Sequence, residues 1–301
     1  MRKLSVFAIL TMAACGGGGG DTPAIDAPDV TDDGGLIDAP TGAIDARIID
    51  APVGPDADPS TLPRFSFFVT SLRALQELSG NPMGFGGDLR FGETGPGAGL
   101  RGADKLCATI AERSMPGASA KQWRAFLSAS DDGNGNVVNA IQRIGAGPWY
   151  DRLGRMLAPN VASLMGIRPA GGDATIKNDF PNEDGVTNHN PDLTGNVDNH
   201  DMLTGTNLQG MLELDSAGAN KRTCLDWTAN AGNETLEGEP RVGHSWPRGN
   251  TGQINSWMSS LIESGCAPGV SLIEMGPPDP NSNTVGSGGG YGGFYCFALV
   301  P

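Results

Sequence analysis

Positive charge is scarce in this chain of 301 residues: 20 Lys and Arg stand against 34 Asp and Glu, a net −14. Nucleic acids and anionic lipid surfaces both recruit a cationic face, so the balance argues against either as the main partner. Charged residues of both signs reach only 18%, while glycine occupies 46 positions, a balance that disfavours a helical bundle or coiled coil and favours turns and loops. Cysteine is limited to five residues without the paired CxxC spacing of a zinc module. Histidine is limited to three. No stretch reaches the roughly 18 consecutive apolar residues of a membrane helix.

What is present begins with Arg2 and Lys3, an apolar run from Leu4 to Met12, and Ala13-Ala14-Cys15. Basic, apolar, then small is the order of a secretory signal, and residues 1–15 are assigned to one. The last residues resemble the lipobox of bacterial lipoproteins, with Met12 where Leu is usual, which implies that Cys15 is diacylated and becomes the mature N-terminus. Several acyl chains hold a protein to a membrane where one releases it. Gly16 stands where an Asp would imply retention in the inner membrane, so the expected address is the bacterial outer membrane. The alternative is an ordinary cleaved signal.

Residues 16–63 open with five glycines and repeat one phrase at irregular spacing, in Ala24-Ile-Asp-Ala-Pro28, Leu36-Ile-Asp-Ala-Pro40, Ala43-Ile-Asp-Ala-Arg47 and Ile48-Ile-Asp-Ala-Pro52. The tract holds ten Asp, one Arg and no aromatic residue, so it buries too little apolar surface to offset its ordering entropy and is expected to be a disordered tether. Between a coil of roughly 40 Å and a proline-stiffened rod of about 150 Å, it can lift a domain off a membrane. A calcium-binding aspartate repeat is the alternative, but a calcium cage needs oxygens converging at set intervals.

Residues 64–301 form the expected globular domain, of class α+β. Phe65 to Thr70 alternates as a strand. In Gly102 to Ser114, Ala103, Leu106, Cys107, Ile110 and Ala111 fall on one helical face, and Pro116-Gly117 stops the run. Strands are expected at Gln122 to Ser128, Met202 to Leu203, Thr223 to Trp227 and Val242 to Trp246, and short helices at Val138 to Ile144 and Ser256 to Ile262. Gly145 to Pro148 makes a turn. Ala170 to Asp201 lacks hydrophobic periodicity and is a long loop, a kind of segment that often carries function. Phe294 to Val300, apolar on both faces, suits a central strand.

With Cys15 assigned to lipid, Cys107, Cys224, Cys266 and Cys296 imply two disulfides among three connectivities in an exported chain. Joining Cys107 on the early helix to Cys296 in the last strand staples the two ends of the domain and leaves Cys224 and Cys266 as a nested inner pair.

Phe67-Phe-Val-Thr-Ser71, Gly102-Ala-Asp-Lys-Leu-Cys107, Trp123-Arg-Ala-Phe-Leu-Ser128, Cys224-Leu-Asp-Trp-Thr228 and Tyr295-Cys-Phe297 together resemble the C-type-lectin-like, endostatin-like domains of bacterial (myxobacterial-type) surface lipoproteins. The resemblance spans about residues 64–301. It implies the same nested pairing, Cys107 with Cys296 and Cys224 with Cys266, and a domain that binds proteins, glycans or matrix and is seldom an enzyme. The Glu-Pro-Asn or Gln-Pro-Asp triplet and the Trp-Asn-Asp of calcium-dependent sugar binders are absent, and no histidine precedes His189, so neither calcium-dependent sugar binding nor an endostatin-type zinc site is implied.

Chemistry-bearing groups are few. His189, His200 and His244, with Asp198, Asp201 and Glu183-Asp184 nearby in sequence, can bind zinc or calcium only if they converge; loop histidines among Asn and Asp are more often solvated. Asp132-Gly-Asn134-Gly-Asn136 opens like an EF-hand loop but has Val137 at the sixth position and Arg143 at the twelfth, so it is expected to be a hairpin turn. Gly288 to Gly293 satisfies GxGxxG, yet a strand follows where a nucleotide site needs a helix. Gly243-His-Ser-Trp-Pro247 lacks the second Gly of a nucleophile elbow. Of the five tryptophans, Trp246, beside Pro247 and Arg248, is the candidate for the surface.

The expected function is a lipid-anchored binding or adhesion module without catalytic activity or cofactor, its partners the membrane and an extracellular protein or glycan. Trp246, Arg248, Asp184 and Asp198 are the candidate ligand contacts. The rivals are a metal-binding protein or metal-dependent enzyme using His189, His200 and His244, and a structural envelope protein.

Overall fold

The computed structural model describes residues 58–190, 197–250, 253–273 and 276–301, apart from the side chains of 249, 250, 253 and 254. The signal segment, Cys15 and the tether as far as residue 57 lie outside the described residues. Pro59–Thr61, inside the expected tether, forms a 3-10 turn capped by Asp58. Among the described residues no helix is long and apolar enough to cross a membrane.

The fold is mixed α and β, with few helices and short strands gathered on one long strand. The strands are β1 (Phe67–Val69), β2 (Trp123–Ala125), β3 (Trp149–Tyr150), β4 (Met156–Ala158), β5 (Asp201–Leu203), β6 (Val242–His244), β7 (Arg248–Asn250), β8 (Gln253–Asn255) and β9 (Gly290–Ala298). β9 is central and every residue in it is buried, as its apolar faces imply. β1 and β2 run antiparallel to its C-terminal half, pairing Phe68 and Ala125 with Cys296. β5 runs parallel to its N-terminal half and β6 antiparallel to β5, with Asp201 opposite His244. Gly290 allows the closest approach, since a Cβ there would lie 2.7 Å from the Asp201 carbonyl oxygen. The pairs β3–β4 and β7–β8 form separate hairpins.

Among the described residues two helices exceed two turns. α1 (Leu72–Ser79) is capped by Ser71, whose Oγ accepts from the Ala74 N–H, and ends at Gly80 in the left-handed region. α2 (Ala98–Ser114) starts four residues before the expected helix and buries the anticipated face through Leu106, Cys107, Ile110 and Ala111. Its Gly99 and Gly102 face the backbones of 226–227 and 89–90 so closely that no Cβ fits. The Asp104 carboxylate accepts from Ala125 N–H at 2.9 Å and pairs with Arg143, tying α2 to β2.

Behind the sheet, Phe67, Phe126, Phe180, Trp257, Tyr295 and Phe297 form one aromatic core with ring centroids 4.6–6.4 Å apart. Each such ring stabilises by about 1.5 to 3 kcal/mol on burial. Trp123, Trp149, Trp227 and Trp257 are fully buried, and Trp246 alone among the tryptophans is partly exposed. The disulfides are Cys107–Cys296 and Cys224–Cys266, one sequence loop inside the other.

Several expectations need correction. Thr223 to Trp227 is not a strand: Cys224, Leu225, Asp226 and Trp227 all have φ between 50° and 66°, a left-handed turn. It is held by Thr223 Oγ1 accepting from Asp226 N–H and by the Asp226 carboxylate accepting from Ser130. Ser256 to Ile262 is not a helix: Trp257 N–H donates to Ile167 O and Ser260 N–H to Val242 O, while the Ser256 and Leu261 carbonyls accept from His244 and Val242 N–H. The strand expected over Gln122 to Ser128 is only β2, since Gln122 takes a positive φ. The helix expected over Val138 to Ile144 is only Ala140–Arg143. Asp132 to Asn136 is the expected turn, closed by Asp132 N–H donating to Asn136 O, with Arg143 engaged elsewhere on Asp104. Gly147-Pro148, in the expected turn, is a cis peptide.

Candidate functional site

The antiparallel register of β5 and β6 fixes the histidines. Ser245 N–H donates to the His200 carbonyl at 2.7 Å, which turns the adjacent His244 ring onto the His200 ring, with centroids 3.9 Å apart and planes 11° from parallel. The loop at 180–189 lies against the same edge: Phe180 N–H donates to Ser245 O, and Asn199 N–H to His189 O. His189 is thereby stacked on Trp246 at 3.8 Å, and the Arg248 guanidinium lies 3.6 Å over the other partner of the stack, Trp246. A cation over an indole is attracted by the ring quadrupole. So His189, His200, His244, Asp198, Trp246 and Arg248, six of the sequence-stated candidates, form one cluster.

Carboxylates alternate with the imidazoles. Asp179 Oδ2 is 3.5 Å from His189 Nδ1, and Asp198 Oδ1 is 3.3 Å from His189 Nε2 and 2.9 Å from His200 Nδ1. The His200 N–H, as the leading cause, holds the Asp198 carboxyl below the usual range. On its far side His200 Nε2 is 3.7 Å from Asp201, whose carboxyl acts in turn on that of Glu263. Burial pushes the Glu263 carboxyl up to about 7, although Gly288 N–H and Ser287 Oγ donate to it. His244 goes the other way: burial first, then the charge of His200 and Arg248, drive its pKa far down. Its Nδ1 accepts from Trp246 N–H, so the neutral ring carries its proton on Nε2. These histidines are not the solvated loop groups that their Asn- and Asp-rich context implies; His200 and His244 are each 1% exposed.

Convergence has not made a metal cage. The rings meet face to face, and no group of three or more His, Cys, Asp or Glu among the described residues is arranged to hold a metal ion. Ser245, next to His244, is buried and its Oγ makes no hydrogen bond, so His244 does not activate it. Glu183 lies apart, accepting from Ser71 N–H and Oγ at the start of α1, with its carboxyl raised by burial. Asp184 is also outside the cluster. It pairs with Arg73 at 2.7 Å at the mouth of a neighbouring cavity of about 320 Å³.

Sequence reasoning missed Asp179, Glu263 and the cavity residues other than Asp184. Glu263 carries no local signal, because it stands 62 positions from Asp201 and reaches it only through the β5–β6–262 arrangement, in which Arg241 bridges to Ile262. Asn188 and Asn199 sit in the polar loop among many similar residues; the signal available was only their place beside His189 and His200.

No protein-family model matches this chain, and no curated protein matches it.

Proposed function

We propose that the protein is a lipid-anchored binding module of the bacterial outer surface, non-catalytic, with a C-type-lectin-like domain held out on the N-terminal tether. The observation that carries the binding reading is the Arg248–Trp246–His189 stack: a partly exposed indole held by both an imidazole and a guanidinium, backed by a buried chain of carboxyl and imidazole groups. Rigid aromatic anchors of this kind give contact area at little entropic cost, and loops on a braced scaffold commonly carry recognition. The nested disulfides support an exported protein, and the order Arg2-Lys3, apolar run, Ala14-Cys15 supports the anchor.

The test uses the full chain in a bacterial host with lipoprotein processing. Peptide mass spectrometry is expected to find acyl groups on Cys15, and arrays of glycans and extracellular matrix proteins are expected to yield a ligand that Trp246→Ala and Arg248→Ala each weaken at least tenfold with unchanged melting. An unacylated first residue sinks the anchor, and an array ligand indifferent to both variants sinks the stack.

A further inference from the structure

The cavity beside the histidine cluster is lined in part by Gln76, Asn182, Asn188, Asn199 and Tyr291, and what matters is what these groups leave unspent. Asn182 Oδ1 accepts from two backbone N–H groups, of Asp184 and Val186, which fixes that atom as oxygen and leaves Nδ2 without a partner among the described residues. Gln76 Nε2 donates to Pro82 O at 2.6 Å, which leaves its Oε1 as an acceptor. Asn188 donates to Asn199 Oδ1 at 3.1 Å, so Asn199 Nδ2 is again unspent. The Tyr291 hydroxyl, 2.7 Å from Thr70 O and 2.9 Å from Asn188 Oδ1, shares its proton between them and locks Asn188. Asn182, Asn188 and Asn199 are all more than nine-tenths buried.

Leu72, Val197 and Leu272 supply apolar wall between these amides. Among the described lining residues the charges are Arg73 and Asp184, which cancel each other across 2.7 Å. A ligand for such a place is uncharged, carries several hydroxyl or amide groups that both donate and accept, and has one aliphatic face. Its size is bounded too. A volume of about 320 Å³ lies at the low end of small-molecule sites, which run from roughly 300 to 1,000 Å³, and suits one ring with its substituents. An anion would meet no unpaired cation among the described lining residues, and a peptide would not fit.

We infer that this amide-lined cavity is a subsite for a single neutral sugar unit, presented by a larger glycan whose remainder lies toward the Trp246 stack. The inference rests on the binding-module reading and assigns the class of ligand to it. Hydrogen bonds from the amides would read the hydroxyl pattern, and an analogue lacking a bonded hydroxyl would leave a buried amide unpaired, a penalty that gives selectivity among sugars.

The experiment is saturation-transfer NMR with calorimetry on the full chain, using methyl glycosides of N-acetylglucosamine, galactose, mannose and fucose beside glucuronate and sialic acid. Expected is binding of at least one neutral glycoside and of neither acid. Val197→Trp, which fills the space, and Gln76→Leu, which removes the acceptor, are each expected to weaken that binding tenfold or more with unchanged melting. Two variants of different kind keep the test valid if one fails to fold. Binding that survives both variants but disappears in Trp246→Ala overturns the cavity and spares the binding module. Preference for the acidic sugars overturns the neutral class. If no sugar binds while a matrix protein does, the subsite is overturned and the module stands; if nothing on either panel binds, both fall.

Discussion

His200 and His244 lie face to face with ring centroids 3.9 Å apart, one donating to Asp198 and the other accepting from Trp246 N–H. Two imidazolium ions cannot share that contact, because like charges at this distance in a buried place repel by several kcal/mol. His244 is therefore the neutral partner. Nitrogen-15 NMR is expected to show it in the Nε2–H form across roughly pH 5 to 8, the range in which an unperturbed imidazole near 6.5 changes charge. An imidazolium signal for His244 at the acid end of that range contradicts the assignment.

Glu263 gives the second expectation. Its folded pKa is raised, so between its unfolded value of 4.5 and about 7 the folded state binds more protons than the unfolded chain. The contribution of this group to stability is then present below pH 4.5 and declines as pH rises through the window, by on the order of 3 kcal/mol at completion. In thermal melts, Glu263→Gln is expected to flatten the fall in stability between those limits, and to be more stable than the parent above pH 7. A parent and variant with parallel pH profiles would show that the carboxyl is ionised throughout.

At Gly102 the usual effect of alanine in a helix is expected to reverse. Replacing a helical glycine normally stabilises by about 0.5 to 1 kcal/mol. Here a Cβ would stand 2.1 Å from Arg90 O and 2.2 Å from Leu89 O, both backbone atoms, so α2 has to move away. Gly102→Ala is expected to destabilise by about 1 to 3 kcal/mol in urea denaturation. A more stable variant refutes the close packing.

The two disulfides are expected to differ in worth. Cys107–Cys296 spans 189 residues and Cys224–Cys266 spans 42. Each constrains the unfolded chain by roughly 3 to 5 kcal/mol, and in the loop-entropy model the outer bridge exceeds the inner by about 1 kcal/mol. Denaturation of the Cys107→Ala/Cys296→Ala and Cys224→Ala/Cys266→Ala pairs measures the difference. Peptide mapping without reductant that joined 107 to 266 would remove its basis.

What could be read in advance follows from how local the causes are. The face of α2, the buried closing strand and the turn at Asp132 depend on residues near one another in sequence, and each is present. The resemblance carried the disulfide pairing, and the pairs are those observed. Thr223 to Trp227 misled because a run of Thr, Cys, Leu and Trp favours strand by composition, while the turn is imposed by Asp226 reaching Ser130, 96 positions away. Ser256 to Ile262 failed for the same reason, its backbone being paired with Ile167, Val242 and His244, all distant or on another strand. Of the site, Trp246 and the histidines could be named, but their stacking could not, since it depends on the 180–189 loop lying beside β5 and β6. Glu263 was invisible until the fold placed it.

Lys121, wholly buried by its surroundings, donates from Nζ to Pro63 O at 3.0 Å and to Pro301 O at 2.8 Å. A pull transmitted along the chain N-terminal to Pro63 would thus arrive at this clasp and pass into β1, which lies in shear against β9, the strand welded to α2 through Cys296. Mechanical load entering there runs into a covalent crosslink at β9 before it can disturb β5 or β6, so the stacked histidines on those two strands would keep their shape under load.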